Sequence, residues 1–205
     1  MVGIINYGLG NLGSIQNMLK AIGKKSVISS DIAVLEKCDR YILPGVGAFD
    51  AGMSRLKELE LDDFVKKIAL IEKKPILGIC LGMQLLGRKS DEGKMAGLGL
   101  IPFDTVHFQL ENTELKIPHM GWDVVEFAQR TPLVEKLIGQ RRQRYYFVHS
   151  YHAKCDSEEN VLMICDYGYR FAAAVCKENI MGVQFHPEKS HDFGMALLKN
   201  FVEEC

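Results

Sequence analysis

The chain lacks the features that commit a protein to a membrane, a nucleic acid or an oxidising compartment. Its longest apolar stretches fall far below the roughly 20 residues a helix needs to cross a bilayer. The opening Met1-Val2-Gly3-Ile4-Ile5-Asn6 has no basic segment and no small-residue cleavage site, and reads as a core strand rather than an export signal. Lys and Arg number 25 against 26 Asp and Glu, a net charge of -1, so no global field draws the chain to nucleic acid or an anionic surface. Six cysteines, at 38, 80, 155, 165, 176 and 205, include no C-x-x-C pair. Reduced thiols in a cytoplasmic protein are the expectation. His149 and His152 lie three apart without a third ligand at a characteristic spacing, so neither a metal nor another cofactor is expected. Repeats, low-complexity segments and linkers are absent as well.

What is present is an ordinary globular composition, 47% hydrophobic and 25% charged. At 205 residues it can bury one full core, and a single domain over 1–205 is expected. The first half alternates strand and helix. Residues 2–6, 26–29, 40–43 and 75–79 read as strands. Ile15, Met18, Leu19 and Ile22 share one helical face over 14–22, with Gly23 placed to end it, and helical spacing returns over 50–59, over 62–72 and from about 82. This alternation predicts βαβ units and a parallel sheet, an α/β fold. From about residue 100 short β-like runs take over, at 105–110, 121–127, 144–149, 160–166, 171–177 and 180–185, before a last helix over 192–203. They predict antiparallel strands added to the parallel sheet.

Cys80 sits at the centre of Gly78-Ile79-Cys80-Leu81-Gly82, directly after the apolar run Pro75-Ile76-Leu77. That is the pattern of a nucleophile elbow, a sharp strand-to-helix turn with no room for β-carbons beside the reactive residue. The turn leaves the backbone N–H of Leu81 free to stabilise an oxyanion. A buried structural thiol would also fit the pentapeptide. The second cluster, Phe185-His186-Pro187-Glu188, favours catalysis. Pro187 disfavours helix at His186, and in an extended segment Glu188 projects to the same side as His186. Glu188 can then orient the ring while its other nitrogen takes the thiol proton, which is the logic of a nucleophile, base and orienter. An imidazolium held by Glu188 would favour a thiolate at Cys80. Pro44-Gly45-Val46-Gly47, after the 40–43 strand, can aim a second backbone N–H at the reaction centre, although a plain turn would also fit.

Gly8-Leu9-Gly10-Asn11-Leu12-Gly13 competes for attention, since it matches G-x-G-x-x-G between a strand and a helix. A nucleotide-binding module is the runner-up from the residues alone. Its ribose-binding acid would be Asp31, which follows Ser29-Ser30 in a loop instead of ending a strand.

Gly78-Ile79-Cys80-Leu81-Gly82-Met83-Gln84 together with Gln184-Phe185-His186-Pro187-Glu188 resembles the class I (triad) glutamine amidotransferase family. Asn6-Tyr7-Gly8-Leu9-Gly10-Asn11, Pro44-Gly45-Val46-Gly47-Ala48-Phe49, Pro118-His119-Met120-Gly121-Trp122, Phe147-Val148-His149-Ser150-Tyr151 and Phe185-His186-Pro187-Glu188-Lys189-Ser190 resemble its histidine-biosynthesis branch. The resemblance covers essentially the whole chain. It implies a flavodoxin-like, mostly parallel central sheet with flanking helices. It implies Cys80, His186 and Glu188 as the catalytic residues, Leu81, Val46 and Gly47 as oxyanion donors, and Gln84, His149, Ser150 and Tyr151 around the amino-acid end of L-glutamine. It further implies that the 8–13 turn borders the site and binds no dinucleotide. The implied partner is a (β/α)₈-barrel cyclase subunit in a heterodimer, with no role for nucleic acid or membrane. A paralogous barrel synthase, for instance in surface-sugar amidation, would use the same residues. Asp123, where the family commonly has asparagine, Gly87-Arg88-Lys89 and Phe103-Asp104 depart from the pattern.

Overall fold

A computed structural model describes residues 1–111 and 114–205. Its first half runs β1 (Val2–Ile5), α1 (Leu12–Ala21), β2 (Ser26–Ser29), α2 (Ile32–Leu35), β3 (Arg40–Leu43), α3 (Phe49–Glu58), α4 (Leu61–Lys66), β4 (Ile76–Ile79) and α5 (Leu81–Leu85). The second half adds β5 (Phe103–His107), β6 (His119–Phe127), β7 (Arg144–His149), β8 (Tyr151–Cys155), β9 (Val161–Asp166), β10 (Arg170–Lys177), β11 (Ile180–Val183) and α6 (His191–Glu203). Among the described residues these strands form one sheet in the order β2-β1-β3-β4-β11-β10-β9-β6-β7, with β8 pairing β10 and β5. The pairs from β2 through β11 are parallel. From β11 outward every pair is antiparallel. The α/β expectation, with antiparallel strands added in the second half, holds.

The parallel strands are nearly all apolar because both of their faces are covered. Ile4, Ile42 and Leu77 pack with Ile15 and Leu19 of α1 and Leu197 and Phe201 of α6. Ile5, Tyr41, Leu43 and Ile76 face the other way, against Met53 and Leu56 of α3, Phe64 of α4 and Leu85 of α5. The C-terminal ends of β1, β3, β4 and β11 therefore open along one edge, the place where α/β sheets hold ligands.

Two elements escaped the sequence pattern. α2 is a single turn, too short to show a 3.6-residue period, and rests on Asp31, whose Oδ1 accepts from the Ala33 N–H at 2.9 Å. The acid considered for a ribose is thus a helix cap. β8, Tyr-His-Ala-Lys-Cys, shows little β-preference of its own and is made a strand by pairing with β5 and β10. The 62–72 helix is also shorter than expected: α4 stops at Lys66, and Lys67–Ile71 winds as a wider π-type turn.

Two of the departures from the family pattern meet in space. A Cβ on Gly87 would overlap the ring of Phe103, which is fully buried and has nowhere to move. Arg88 pairs with Asp104 at 2.8 Å and grips Asp156, just beyond β8, with both terminal nitrogens at 2.6 and 2.8 Å. The ion pairs are exposed and screened by solvent, so they contribute little; the packing of Gly87 under Phe103 carries more. Gly87→Ala is expected to cost about 1–3 kcal/mol by overpacking, read as a lower urea midpoint. Adding Phe103→Leu should recover part of that loss, and strictly additive effects of the two changes would show that the residues do not share this space.

Candidate active site

Cys80 is the hinge between β4 and α5, with φ +53° and ψ −111°. A non-glycine residue held there costs on the order of 1–3 kcal/mol. Packing over-determines it: the Cys80 N–H donates to the Val183 carbonyl at 2.8 Å, and its own carbonyl accepts from the Gln84 N–H at 3.2 Å. A Cβ on Gly82 would overlap the Leu43 carbonyl, and one on Gly78 would stand 2.7 Å from the Gly82 oxygen. Only glycine lets β4 and α5 approach β3 this closely.

β11 delivers the second half of the site. Its parallel pairing with β4 sets Val183 opposite Ile79, so the chain leaving β11 passes beside Cys80. His186 is buried, and its Nδ1 meets Glu188 Oε1 at 2.8 Å. The contact forms across a 3-10 turn, Pro187–Lys189, that begins at the proline; His186 alone is extended. The sequence reading had the right partners but the wrong local path, because Pro187 is tolerated at the first position of a helical turn. Ser190 fixes this turn by donating to the His186 carbonyl at 2.6 Å and accepting from the Tyr146 N–H at 3.0 Å. Burial pushes the His186 pKa down, but the attraction of the neighbouring Cys80 and Glu188 for the proton outweighs it and sets the value at about 9. Nε2, on the ring edge away from Glu188, is buried without a fully formed hydrogen bond, as proton-transfer pairs often are before substrate arrives.

The 44–47 loop closes over the thiol. The buried Tyr7 hydroxyl donates to the Pro44 carbonyl at 2.5 Å; burial and the neighbouring Cys80 push its pKa up, so it stays a neutral donor. Gly10, at φ +118°, lets the 8–13 turn lie against this loop, where a Cβ would stand 3.1 Å from Pro44. Of the three glycines that matched a dinucleotide motif, Gly10 serves this approach, while a Cβ on Gly8 would face Arg55 and one on Gly13 open space.

A cavity of about 460 Å³ joins Cys80 and His186 to Val46, Gly47, Ala48, Leu81, Gln84, Glu92, Pro118, His149, Ser150, Tyr151 and Lys189. A larger hollow of about 720 Å³ lies at the opposite end of the sheet, beside Pro75 and the 176–179 turn. Its cysteines, Cys176 and Cys205, have no histidine beside them in the lining, so the smaller cavity is the candidate site. All the oxyanion and substrate candidates read from the sequence come together there, but in unequal roles. Both ring nitrogens of His149 are engaged within the protein, Nδ1 with the Tyr151 carbonyl at 2.8 Å and Nε2 with His119 Nδ1 at 3.1 Å. Burial pushes its pKa down to about 3, so the ring is neutral. Gln84 Nε2 donates to the Tyr151 carbonyl at 3.3 Å and to Gln184 Oε1 at 3.1 Å, and Gln184 Nε2 reaches the Cys80 sulfur at 3.7 Å.

Sequence reasoning missed Tyr7, Glu92, Gln184, Lys189 and Ser190 as parts of the site. Glu92 is held by the N–H of Phe49 at 2.8 Å, at the start of α3. Gln184 had left a signal, a lone amide in the apolar run from Ile180 to Phe185. The others depend on contacts distant in sequence. Among the described residues, no group of three or more His, Cys, Asp or Glu is arranged to hold a metal ion.

A family model described as glutamine amidotransferase class-I matches residues 4–205. The chain is 51% identical over 205 residues to the imidazole glycerol phosphate synthase subunit HisH 2 of Methanococcus maripaludis, covering 100% of both chains. It is 46% identical over 203 residues to the HisH 2 subunit of Pseudomonas aeruginosa, 99% of each chain. Identity to the HisH subunit of Sulfurimonas denitrificans is 47%, covering 99% of this chain and 98% of that one. Among solved structures, a glutamine amidotransferase superposes with a TM-score of 0.76 at 19% identity, covering 98% of this chain and 97% of that one. PurLQS from Thermotoga maritima gives 0.72 at 20% identity, with 98% and 96% covered. At such identities these two attest the fold.

The His186 proton gives a direct test. With the native pKa near 9 and an unfolded value of about 6.5, folding binds this proton more tightly. The stabilisation is complete below about pH 6.5 and is lost as pH rises through 9. Glu188→Gln removes one of the upward influences. The His186 ring signal in NMR should then titrate at lower pH, and the stability gap to the parent should be wider at pH 6.5 than at pH 10. A parent midpoint at or below the ordinary histidine value contradicts this.

Proposed function

The chain belongs to the class I glutamine amidotransferase family, and on that premise we propose that it is the glutaminase subunit of an imidazole glycerol phosphate synthase in histidine biosynthesis. The observation that carries this reading is the buried Cys80, His186 and Glu188 set, opening into one cavity with the 44–47 loop.

In the proposed mechanism the Cys80 thiolate attacks the side-chain amide carbon of glutamine. The developing oxyanion is met by the N–H of Leu81, which as a first-turn helix donor has no intrahelical acceptor, and by N–H groups of Val46 and Gly47. The His186 imidazolium gives its proton to the leaving nitrogen, and ammonia departs from a glutamyl thioester. Neutral His186 then takes a proton from water, whose oxygen attacks the thioester. Glutamate leaves, and the thiolate and imidazolium are restored. Glu188 holds the ring through both halves of the cycle. Glu92 and Lys189 bring one carboxylate and one ammonium to the cavity lining, and we assign them to the ammonium and carboxylate of the amino-acid end. Ser150, Tyr151 and the Gln84 carbonyl oxygen complete that end.

Ammonia takes up a proton in water and loses its nucleophilicity, so its release has to be coupled to an acceptor. The acceptor in this proposal is a (β/α)₈-barrel cyclase subunit in a heterodimer, which joins the ammonia to its nucleotide substrate to form imidazole glycerol phosphate and an aminoimidazole carboxamide nucleotide. There a carbon–nitrogen bond to ammonia forms and one within the nucleotide breaks to release the carboxamide product; both steps belong to the partner, and hydrolysis of glutamine belongs to this chain. Met120 and Trp122 are 61% and 41% exposed on the strand that follows Pro118 of the cavity, a surface suited to such a partner. The six cysteines are all free thiols, and no helix among the described residues is long and apolar enough to cross a membrane; a cytoplasmic enzyme accords with both.

A second acceptor is favoured by one observation: Asp123, where the family commonly has asparagine, stands beside the exposed Trp122 on the β6 strand. The same glutaminase could serve a paralogous barrel synthase.

In complex with the cyclase, Cys80→Ala should lower glutamine-dependent synthesis on the order of 10⁴-fold or more and leave synthesis from added ammonia intact. The parent chain alone should show negligible glutaminase activity, because partner docking arranges the 44–47 loop. Equal turnover with and without the cyclase would sink that coupling. Failure of an active glutaminase to support any cyclase product points to the paralogous acceptor.

A further inference from the structure

The side-chain amides of Gln84 and Gln184 are fixed in direction by a backbone group. The Tyr151 carbonyl can only accept, so the Gln84 end facing it at 3.3 Å must be the NH₂. The same nitrogen faces Gln184 at 3.1 Å, so Gln184 must present its oxygen there. Its own NH₂ is thereby turned to the Cys80 sulfur, 3.7 Å away. Reversing either amide would set oxygen against oxygen or NH₂ against NH₂. Gln184 has no exposure to solvent, so water does not compete for these bonds.

We infer that Gln184 donates a hydrogen bond to the Cys80 thiolate, and that Gln84 acts on the nucleophile by holding Gln184 in the donating orientation. A donor at sulfur favours the charged form, adding to the His186 imidazolium from a different side. Both hydrogens of the Gln84 NH₂ are spent within the protein. Its remaining oxygen can therefore take only a donor from the substrate, such as the ammonium group of an amino acid. The inference rests on the reading of Cys80 as nucleophile and extends it to two residues outside the triad.

The test is the pH dependence of Cys80 alkylation by iodoacetamide, measured by peptide mass spectrometry on the full chain without glutamine, so that substrate binding does not enter. Gln184→Glu places an acceptor against the sulfur and should raise the thiolate midpoint by about one pH unit, a roughly tenfold slower alkylation at pH values below the midpoint. Gln184→Met removes the donor and should slow it several-fold. Gln84→Met keeps the backbone bond to the Cys80 carbonyl and removes only the side-chain bonds to Tyr151 and Gln184; it should shift the profile in the same direction by freeing the Gln184 amide. A merely structural role would lower the urea midpoint and leave these profiles unmoved. Profiles that superimpose on the parent in Gln184→Met and Gln84→Met overturn the inference, and these two variants decide it if Gln184→Glu does not fold. Failure of the nucleophile reading is separable: Cys80→Ser would then retain glutaminase activity in complex with the cyclase.

Discussion

Everything in the site depends on one close approach, that of the β4–α5 turn to the end of β3. Gly82 lies against the Leu43 carbonyl and Gly78 against Gly82, and between them Cys80 is forced into a left-handed backbone conformation. The cost, on the order of 1–3 kcal/mol, is borne by the buried apolar strands around it. The return is positional. The thiol is held at the sheet edge while the Leu81 N–H, at the head of α5, is left without an intrahelical acceptor. The same contact sets the neighbouring loop, since Gly45 has the Tyr7 hydroxyl, Gly82 and Leu81 as its nearest neighbours. Cys80 and the 44–47 loop, the proposed nucleophile and oxyanion loop, are thus two sides of a single packing interface.

The antiparallel half of the sheet supplies what the parallel half cannot. β11 enters beside β4 in parallel, but the chain reaches it through β10 by a short turn instead of a crossover helix. That route leaves the end of β11 free to carry Gln184 and His186 past the sulfur. β7 holds the same segment through the Tyr146 backbone, which accepts from the His186 N–H at 2.9 Å. β8 adds the Tyr151 carbonyl. Gln184, His186 and Glu188 therefore all come from the segment that leaves β11, the one antiparallel-half strand paired with β4, while β7 and β8 hold that segment and Gln84 through backbone groups.

This explains which parts were legible in the sequence. Cys80 was readable because its constraint is local: glycines two residues to either side are needed wherever such a turn occurs. His186 and Glu188 were readable as a pair, although the proline that suggested an extended path begins a helical turn. The buried strands of the parallel half were readable from their unbroken apolar runs. β8 was not, because Tyr151, His152 and Lys154 carry no strand pattern and gain one only from neighbours far along the chain in β5 and β10. Nor was Tyr7 readable as a site residue, since it acts across 37 residues; Gln184 stood out only as a lone amide in an apolar run, and its contact with Cys80 across 104 residues came from the fold.

The same distinction sorts the departures from the family pattern. Gly87 with Phe103, and Arg88 with Asp104 and Asp156, answer one another within a patch of packing and charge remote from the sulfur. Asp123 is different. Its carboxylate lies 3.4 Å from His119 Nε2, His119 Nδ1 meets His149, and His149 donates to the Tyr151 carbonyl. That carbonyl also accepts from Gln84, whose amide orients Gln184 toward Cys80. Burial pushes the His119 pKa down while Asp123 works against it, so replacing a neutral amide by a carboxylate at 123 alters the charge at the outer end of this chain. The Tyr151 carbonyl, with one lone pair for each donor, is the acceptor shared by His149, which leads through His119 to Asp123, and Gln84, which leads through Gln184 to Cys80. A substitution at the surface can therefore reach the site through ring and amide orientations, with no movement of the triad itself.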